Sequence, residues 1–329
     1  MTTPPLATAT QTAWLRFLHT FEPLRPELYR YCRYLTRSPW DAEDLAQDTL
    51  ARAFVTLAQM FEDPPNPRAW LVRVASNLWI DDRRRHRETP IEPSAIAEVA
   101  APAQSRAPRE AAGTLLVTLS PQERAAVVLK DVFELSLEEI SDAIGTTVGG
   151  VKAALHRGRG KLADEHAPAA ETAPVPGALD ALCAALTAGD MDRATALLLD
   201  SAVVRVVGAT TQYGPDAARR TVLKGLIHGS ERLAAADPSL GMDPSFVRGV
   251  LPAIPRCEAR LHRGRWLVLH WFRHTDGEAV RGVSTLELDG DRVARLTNYF
   301  FNPEFLVDLC GELDVPVRVN GYRWCRTPD

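Results

Sequence analysis

Cysteine is scarce and unpatterned: Cys32, Cys183, Cys257, Cys310 and Cys325 are scattered, with no CxxC pair. That excludes a zinc ribbon and a disulfide framework, and fits reduced thiols in a cytoplasmic protein. Long apolar runs are missing too. None reaches 18 residues, so no membrane span is expected. The first residues, MTTPPLATAT, lack a basic start and an apolar stretch. They do not read as a signal peptide and are expected to be a frayed arm. Positive charge is not in excess either, since the net charge is −4. Averaged over the chain this argues against a nucleic-acid binder, but DNA binding needs only a local basic face. No spacing of His, Cys, Asp or Glu is diagnostic of a metal triad or catalytic dyad, so neither metal nor cofactor is expected.

What is present falls into blocks. With 329 residues the chain suits two or three domains. Residues 88–112 and 166–177 are rich in Pro and Ala without sustained periodicity, and read as linkers. They leave segments 14–87, 113–165 and 178–312, with a tail at 313–329.

The first segment is helical by its punctuation. Ser38-Pro39 followed by Asp41 is a cap, a first-turn proline and an acid at the positive dipole end. Ala46, Leu50, Ala53, Phe54 and Leu57 then recur at helical spacing. Asn66-Pro67 opens another helix, with Leu71, Val74, Ala75 and Leu78 expected on its buried face and a basic end, Arg83-Arg84-Arg85-His86-Arg87.

The second segment carries two capping boxes, Ser120-Pro121-Gln122-Glu123 and Ser136-Leu137-Glu138-Glu139. Gly145 permits a tight turn, and Thr147 can cap a third helix with apolar residues Val148, Val151, Leu155 and Leu162. A short helix, a glycine turn and a second helix make a helix-turn-helix pattern. That second helix carries Lys152, His156, Arg157, Arg159 and Lys161 and no acid before Asp164.

The third segment changes character. Leu179–Leu199 reads as two helical pieces broken at Gly189-Asp190, and Ala202–Val207 as a strand. Two hairpins follow, turning at Arg263-Gly264-Arg265 and at Asp289-Gly290-Asp291-Arg292. Helices followed by antiparallel hairpins predict an α+β domain after two all-α ones.

Three blocks, DAEDLAQDTLARAF (41–54), NPRAWLVRVASNLWIDDRRR (66–85) and LSPQERAAVVLKDVFELSLEEISDAIGTTVGGVKAALHRGRGKL (119–162), resemble RNA polymerase sigma factors of the extracytoplasmic-function (ECF) type. The resemblance implies cytoplasmic partners, core RNA polymerase (its β′ clamp and β flap) and promoter DNA. It places Asp44, Gln47 and Asp48 on the polymerase-gripping face, where an acidic helix would meet a basic clamp. It makes 66–87 the helix that reads and melts the −10 element, with Asn77 against a flipped base, Phe61 beside its pocket and Trp79 as a stacking or core residue. Arg83, Arg84, Arg85 and Arg87 would neutralise phosphates or complement the helix dipole. On the helix that reads the −35 element, Thr147, Lys152, Ala153, His156 and Arg157 would face bases and phosphates, with Arg159 and Lys161 on the backbone. This chain departs from the family at Gly149-Gly150, Gly158 and Gly160. At about 0.5–1 kcal/mol each, these glycines imply a helix weak on its own that orders on DNA.

Residues 178–312 resemble SnoaL-like domains, cone-shaped α+β folds that some ECF groups carry fused. This implies an autoregulatory domain folding back on the sigma core. Asn302-Pro303 resembles an Asn-Pro step of related fused sigma factors, which implies a regulatory position, and is equally a good helix start. His262, His270, His274, Asp276 and Glu278 are acid–base candidates on paper, but read as exposed hairpin residues. The alternatives are a helix-turn-helix regulator sensing a ligand in the cone, and a cyclase or isomerase with a DNA-binding appendage. An operator-binding regulator has no use for the DAEDLAQ and NPRAWLVRVASN blocks, which favours the sigma reading.

Overall fold

The punctuation of the first half becomes real caps. In a computed structural model that describes residues 6–60, 62–88, 119–160, 174–227, 254–274 and 276–322, Ser38 Oγ accepts from Asp41 N at 3.4 Å and opens α3. Both capping boxes close reciprocally, Ser120 with Glu123 and Ser136 with Glu139. The helices of this unit are α1 (Leu6–Phe21), α2 (Arg25–Thr36), α3 (Pro39–Leu57), α4 (Pro67–Glu88), α5 (Pro121–Asp131), α6 (Leu137–Ala143) and α7 (Val148–Gly160). The chain divides into two compact units, Met1–Ala170 and Glu171–Asp329. Residues 89–112 of the first expected linker and 166–173 of the second lie outside the described residues.

The expected N-terminal arm is a correction: the chain is already helical at Leu6. The reason is aromatic. Trp14, Phe17 and Phe21 share one face of α1, and Trp14 and Phe17 meet Phe54 of α3 with ring centroids 5.1 and 5.4 Å apart. Phe21 reaches Trp70 of α4 at 5.8 Å. Such contacts add stabilisation beyond the area they bury. On α2, Leu28, Tyr31, Cys32 and Leu35 are buried at helical spacing. The Tyr31 hydroxyl bonds Ser76 Oγ at 2.7 Å inside the core. On α4 the buried stripe is Leu71, Val72, Ala75 and Trp79, rotated from the expected one because α4 has neighbours on two sides.

The second unit has α8 (Gly177–Ala188), α9 (Met191–Ala196), β1 (Leu198–Val206), β2 (Thr210–Tyr213), α10 (Pro215–Ala218) with a π-helical turn Arg219–Leu223 after it, β3 (Arg256–His262), β4 (Arg265–His274), β5 (Gly277–Asp289), β6 (Arg292–Asn298) and α11 (Pro303–Glu312). The sheet runs β2-β1-β6-β5-β4-β3. All neighbours are antiparallel except β1 and β6, which pair in parallel with Val204 opposite Leu296. Leu182 and Leu186 of α8, Val204, Val222, Leu223 and Leu296 share one apolar core. Each such side chain contributes about 1.5–3 kcal/mol on leaving water. The α+β expectation is met. The tail, left undecided by sequence, folds onto its own sheet: Val280 N donates to Pro316 O and Arg318 N to Val280 O, at 2.8 and 2.9 Å. Trp324 and Cys325 lie outside the described residues.

Candidate nucleic-acid interface

On α3 the buried stripe of Ala42, Ala46, Thr49, Leu50 and Ala53 turns Asp44 and Asp48 outward, with half-buried Gln47 between them. Spacing of three and four residues puts this trio on one face. Beneath it lies a residue that sequence reasoning missed. Glu43 is 0% exposed, paired with Arg25 at 2.6 Å, and accepts from Gln47 Nε2 at 2.8 Å. The acidic face is thereby fixed from below. The partner of Glu43 sits 18 residues upstream on another helix, so local spacing held no signal for it.

On α4, Asn66 Oδ1 accepts from Ala69 N at 3.1 Å and starts the helix. Asn77, Arg84 and Arg85 are exposed, while Arg83 is half-buried. Arg84 pairs with Asp81 at 3.2 Å, an exposed contact worth little, so its guanidinium is readily diverted to another anion. Asn77 and Arg84, seven residues apart, share one face. Trp79 is a different matter. It is 5% exposed, with the Arg83 guanidinium 4.1 Å from its ring centroid, so here it is a core residue and not a surface stacking platform. Phe61 and the side chain of Arg87 lie outside the described residues.

The helix-turn-helix is α6, a turn at Gly145 (φ +63°) and α7. The left-handed φ there favours glycine. Thr147 Oγ1 accepts from Gly150 N at 3.0 Å, so it caps α7. Val151, Ala154 and Leu155 are buried, which leaves Lys152, Ala153, His156 and Arg157 exposed on the opposite side. Arg157 Nε donates to Glu123 Oε1 at 2.9 Å, while the other Glu123 oxygen holds the capping box of α5 at Ser120 N. One buried carboxylate thus both caps the start of α5 and orients a candidate DNA-contact arginine. The capping box gave away the first role; the second, 34 residues away, had no sequence signal. One of the glycines has a packing role that the sequence did not show. A Cβ at Gly158 would sit 2.8 Å from Val127 Cγ2, so this glycine lets α7 approach α5. The side chain of Arg159 and all of Lys161 lie outside the described residues.

In the second unit the acid–base candidates separate. His262 bonds Glu312 at 2.8 Å, Asp276 binds Arg318, and Glu278 pairs with Arg256 at 3.2 Å. His270 departs from the exposed reading. It is 2% exposed, with Nε2 2.8 Å from Ser284 Oγ and Nδ1 3.4 Å from Cys257 Sγ. Burial pushes it down to about 4, so it is neutral at physiological pH. Burial also pushes the Cys257 thiol up, so the cluster holds neither thiolate nor imidazolium. Asn298 Nδ2 donates to Ser284 Oγ at 3.0 Å and extends the chain across the sheet. Asn302 is buried and Pro303 stands at the first turn of α11, the helix-start alternative for that pair. Among the described residues no three His, Cys, Asp or Glu side chains are placed to hold a metal ion, and no helix is long and apolar enough to cross a membrane.

Comparison with known proteins bears on the whole arrangement. Residues 20–89 match Sigma-70 region 2 and residues 109–162 match Sigma-70 region 4. The chain is 31% identical over 231 residues to the ECF RNA polymerase sigma factor SigG of Mycobacterium tuberculosis, covering 59% of this chain and 62% of that one. The chain thus spans less than two thirds of SigG. It is 32% identical over 157 residues to the ECF RNA polymerase sigma factor SigD of Mycobacterium bovis, covering 44% of this chain and 74% of SigD. The crystal structure of M. tuberculosis SigJ, an extracytoplasmic function sigma factor, aligns with 21% identity and a TM-score of 0.32 over 88% of this chain and 98% of SigJ. With region 2 and region 4 matched in order, and with an identity above 30% spanning three quarters of a whole relative, the chain belongs to the ECF family of RNA polymerase sigma factors.

Proposed function

We propose that the chain directs core RNA polymerase to promoters in the cytoplasm and opens the DNA there. In this reading residues 14–87 form the polymerase and −10 domain, 113–165 the −35 domain and 178–312 a SnoaL-like regulatory domain, joined by linkers at 88–112 and 166–177 and ending in a tail at 313–329. Asp44, Gln47 and Asp48 grip the β′ clamp, and the helix-turn-helix domain sits at the β flap. Asn77 receives a flipped base and Phe61 borders its pocket, while Trp79 supports this helix from the core. Arg83, Arg84, Arg85 and Arg87 track phosphates. Thr147, Lys152, Ala153, His156, Arg157, Arg159 and Lys161 serve the −35 duplex. The 178–312 domain, through the Asn302-Pro303 segment, tunes the sigma domains by intramolecular contact. The observation that carries the reading is the pairing, in one chain, of an outward acidic face on α3 with an outward Asn77–Arg84 face on α4. An operator-binding regulator needs neither. No step of this function calls for a cofactor or metal.

The test is run-off transcription with bacterial core polymerase on the gene's own upstream region, comparing the full chain with residues 1–165. Initiation at one position by both supports the reading, and the ratio of their activities gives the sign of the C-terminal domain's effect. Failure of both forms to bind core polymerase refutes it.

A further inference from the structure

The tail extends the sheet where β6 stops. β6 pairs with β5 only from Ser284 onward, and before that point Val317 of the tail pairs in parallel with Val280. In that register the next residues, Arg281 and Arg318, are neighbours, a like-charge pair that costs stability. Arg281 is also the extra residue of a bulge. Val280 stands opposite Trp271 and Gly282 opposite His270, which leaves Arg281 without a partner on β4. A bulge of this kind re-aims a side chain. Arg281 Nε donates to Asn320 Oδ1 at 2.8 Å, and Asn320 Nδ2 donates back to Arg281 O at 2.6 Å and to Phe300 O at 3.0 Å. The guanidinium is thus held at one nitrogen by a neutral group, and no carboxylate bonds it among the described residues.

Two further groups meet this corner. Arg318 gives a single nitrogen, Nη2, to both oxygens of Asp276. His274 closes β4 opposite Gly277, and its Nε2 is buried and bonds nothing among the described residues. Burial and the charges of Arg318 and Arg281 push this imidazole down, while Asp276 pulls it up. Burial and Arg318 also push Arg281 down. Both guanidinium groups therefore act on the His274 ring and on each other. Glu278, the other acid close by in sequence, is taken by Arg256 and Arg273. With Arg281 and Arg318 set against Asp276, one positive charge at the corner lacks a counter-charge among the described residues.

We propose that Arg281, Arg318 and His274 form a binding site for a small phosphate-bearing ligand, and that this ligand fastens the tail to β5. Donors from three side chains suit the three free oxygens of a phosphate group, whereas a carboxylate has two. His274 Nε2 can carry the proton that faces the third oxygen. Arg281 belongs to β5 and Arg318 to the tail, so the complete site exists only when the tail is docked. The ligand stabilises that docked state as its concentration rises.

The experiment is amide hydrogen exchange of the full chain, read around Val280 and Arg318, whose amides bond Pro316 O and Val280 O across the tail. Inorganic phosphate is titrated against chloride at equal ionic strength. Phosphate should slow exchange at both places, and acetate should need about tenfold more to do the same. Arg281→Gln should raise the half-saturating phosphate concentration about tenfold. Asp276→Asn releases Arg318 from an exposed pair and should lower that concentration about fivefold, a gain that a loosened tail cannot produce. It decides the matter if Arg281→Gln undocks the tail. Exchange unmoved by phosphate in both the natural chain and Asp276→Asn overturns the site. Equal protection by acetate overturns the assignment to phosphate. A short oligonucleotide without terminal phosphates should leave both places unchanged. Protection by it as strong as by phosphate would give these arginines to a nucleic-acid backbone and overturn the small ligand.

Discussion

Two glycines on the recognition helix should respond to the same substitution with opposite signs. At Gly158 an alanine Cβ would lie 2.8 Å from Val127 Cγ2 and 3.6 Å from both Glu123 Cβ and its carbonyl oxygen. Val127 is buried and β-branched, so in a helix it has one good rotamer and cannot swing aside. Alanine gains about 0.8–1 kcal/mol of helix propensity, while overpacking typically costs about 1–3 kcal/mol. The net for Gly158→Ala is destabilisation by about 1 kcal/mol, with α7 pushed off α5 and Arg157 drawn from Glu123. At exposed Gly149 the nearest atom to a new Cβ is Thr147 Oγ1 at 3.8 Å, so Gly149→Ala keeps most of the propensity gain. The two variants should differ by about 2 kcal/mol. A chain of two units need not unfold in one step, so the assay is amide hydrogen exchange of α7 in the full chain. Gly149→Ala should slow exchange and Gly158→Ala should speed it. Equal slowing in both would refute the close approach of α7 to α5, and with it the account of why this helix carries glycine at 158.

Other consequences follow from buried charge. Arg25→Met should destabilise the first unit by about 3–5 kcal/mol, because Glu43 is left buried without its cation. Arg25→Met with Glu43→Leu should recover much of that loss in urea unfolding, and no recovery would mean that the pair is not what holds α2 to α3. In the second unit, His270 sits at about 4 when folded against an ordinary 6.5. The unfolded chain therefore takes up a proton between those values that the folded one refuses. The stability this represents, about 3 kcal/mol, is complete above pH 6.5 and is lost as pH falls toward 4. His270→Gln should flatten that part of the pH–stability curve; an unchanged slope would place the titration elsewhere.

Much of this was legible from local chemistry. Ser120 with Glu123, and Ser136 with Glu139, announced their helices because a capping box is written within four residues. The Arg263-Gly264 and Gly290 turns announced two hairpins, since positive φ needs particular residues. What failed to show depended on partners distant in sequence. The parallel pairing of β1 with β6, the second bond of Glu123 to Arg157 and the Arg25–Glu43 pair join residues that no short window contains together. β2 was missed because TTQY is short and polar, with exposed alternate residues. His270 was misread because period-2 alternation assumes one wet face, whereas β4 is buried on both from Leu267 to Phe272. Trp79 stayed ambiguous because helical periodicity gives the direction of a side chain but not the neighbour that meets it.

The place of β6 in the sheet also bears on how the protein is made. This strand lies between β1 and β5, yet it is the last to leave the ribosome. After Val206 is added, synthesis at about 5–20 residues per second takes roughly 4–17 s to reach Arg292. Throughout that interval β1 has β2 as a neighbour on one edge and nothing on the other, an unpaired edge of the kind that invites wrong partners. The first unit has no such dependence, because its helices and caps are complete before the second begins. A nascent chain therefore carries a finished sigma region for seconds before the sheet that follows it can close.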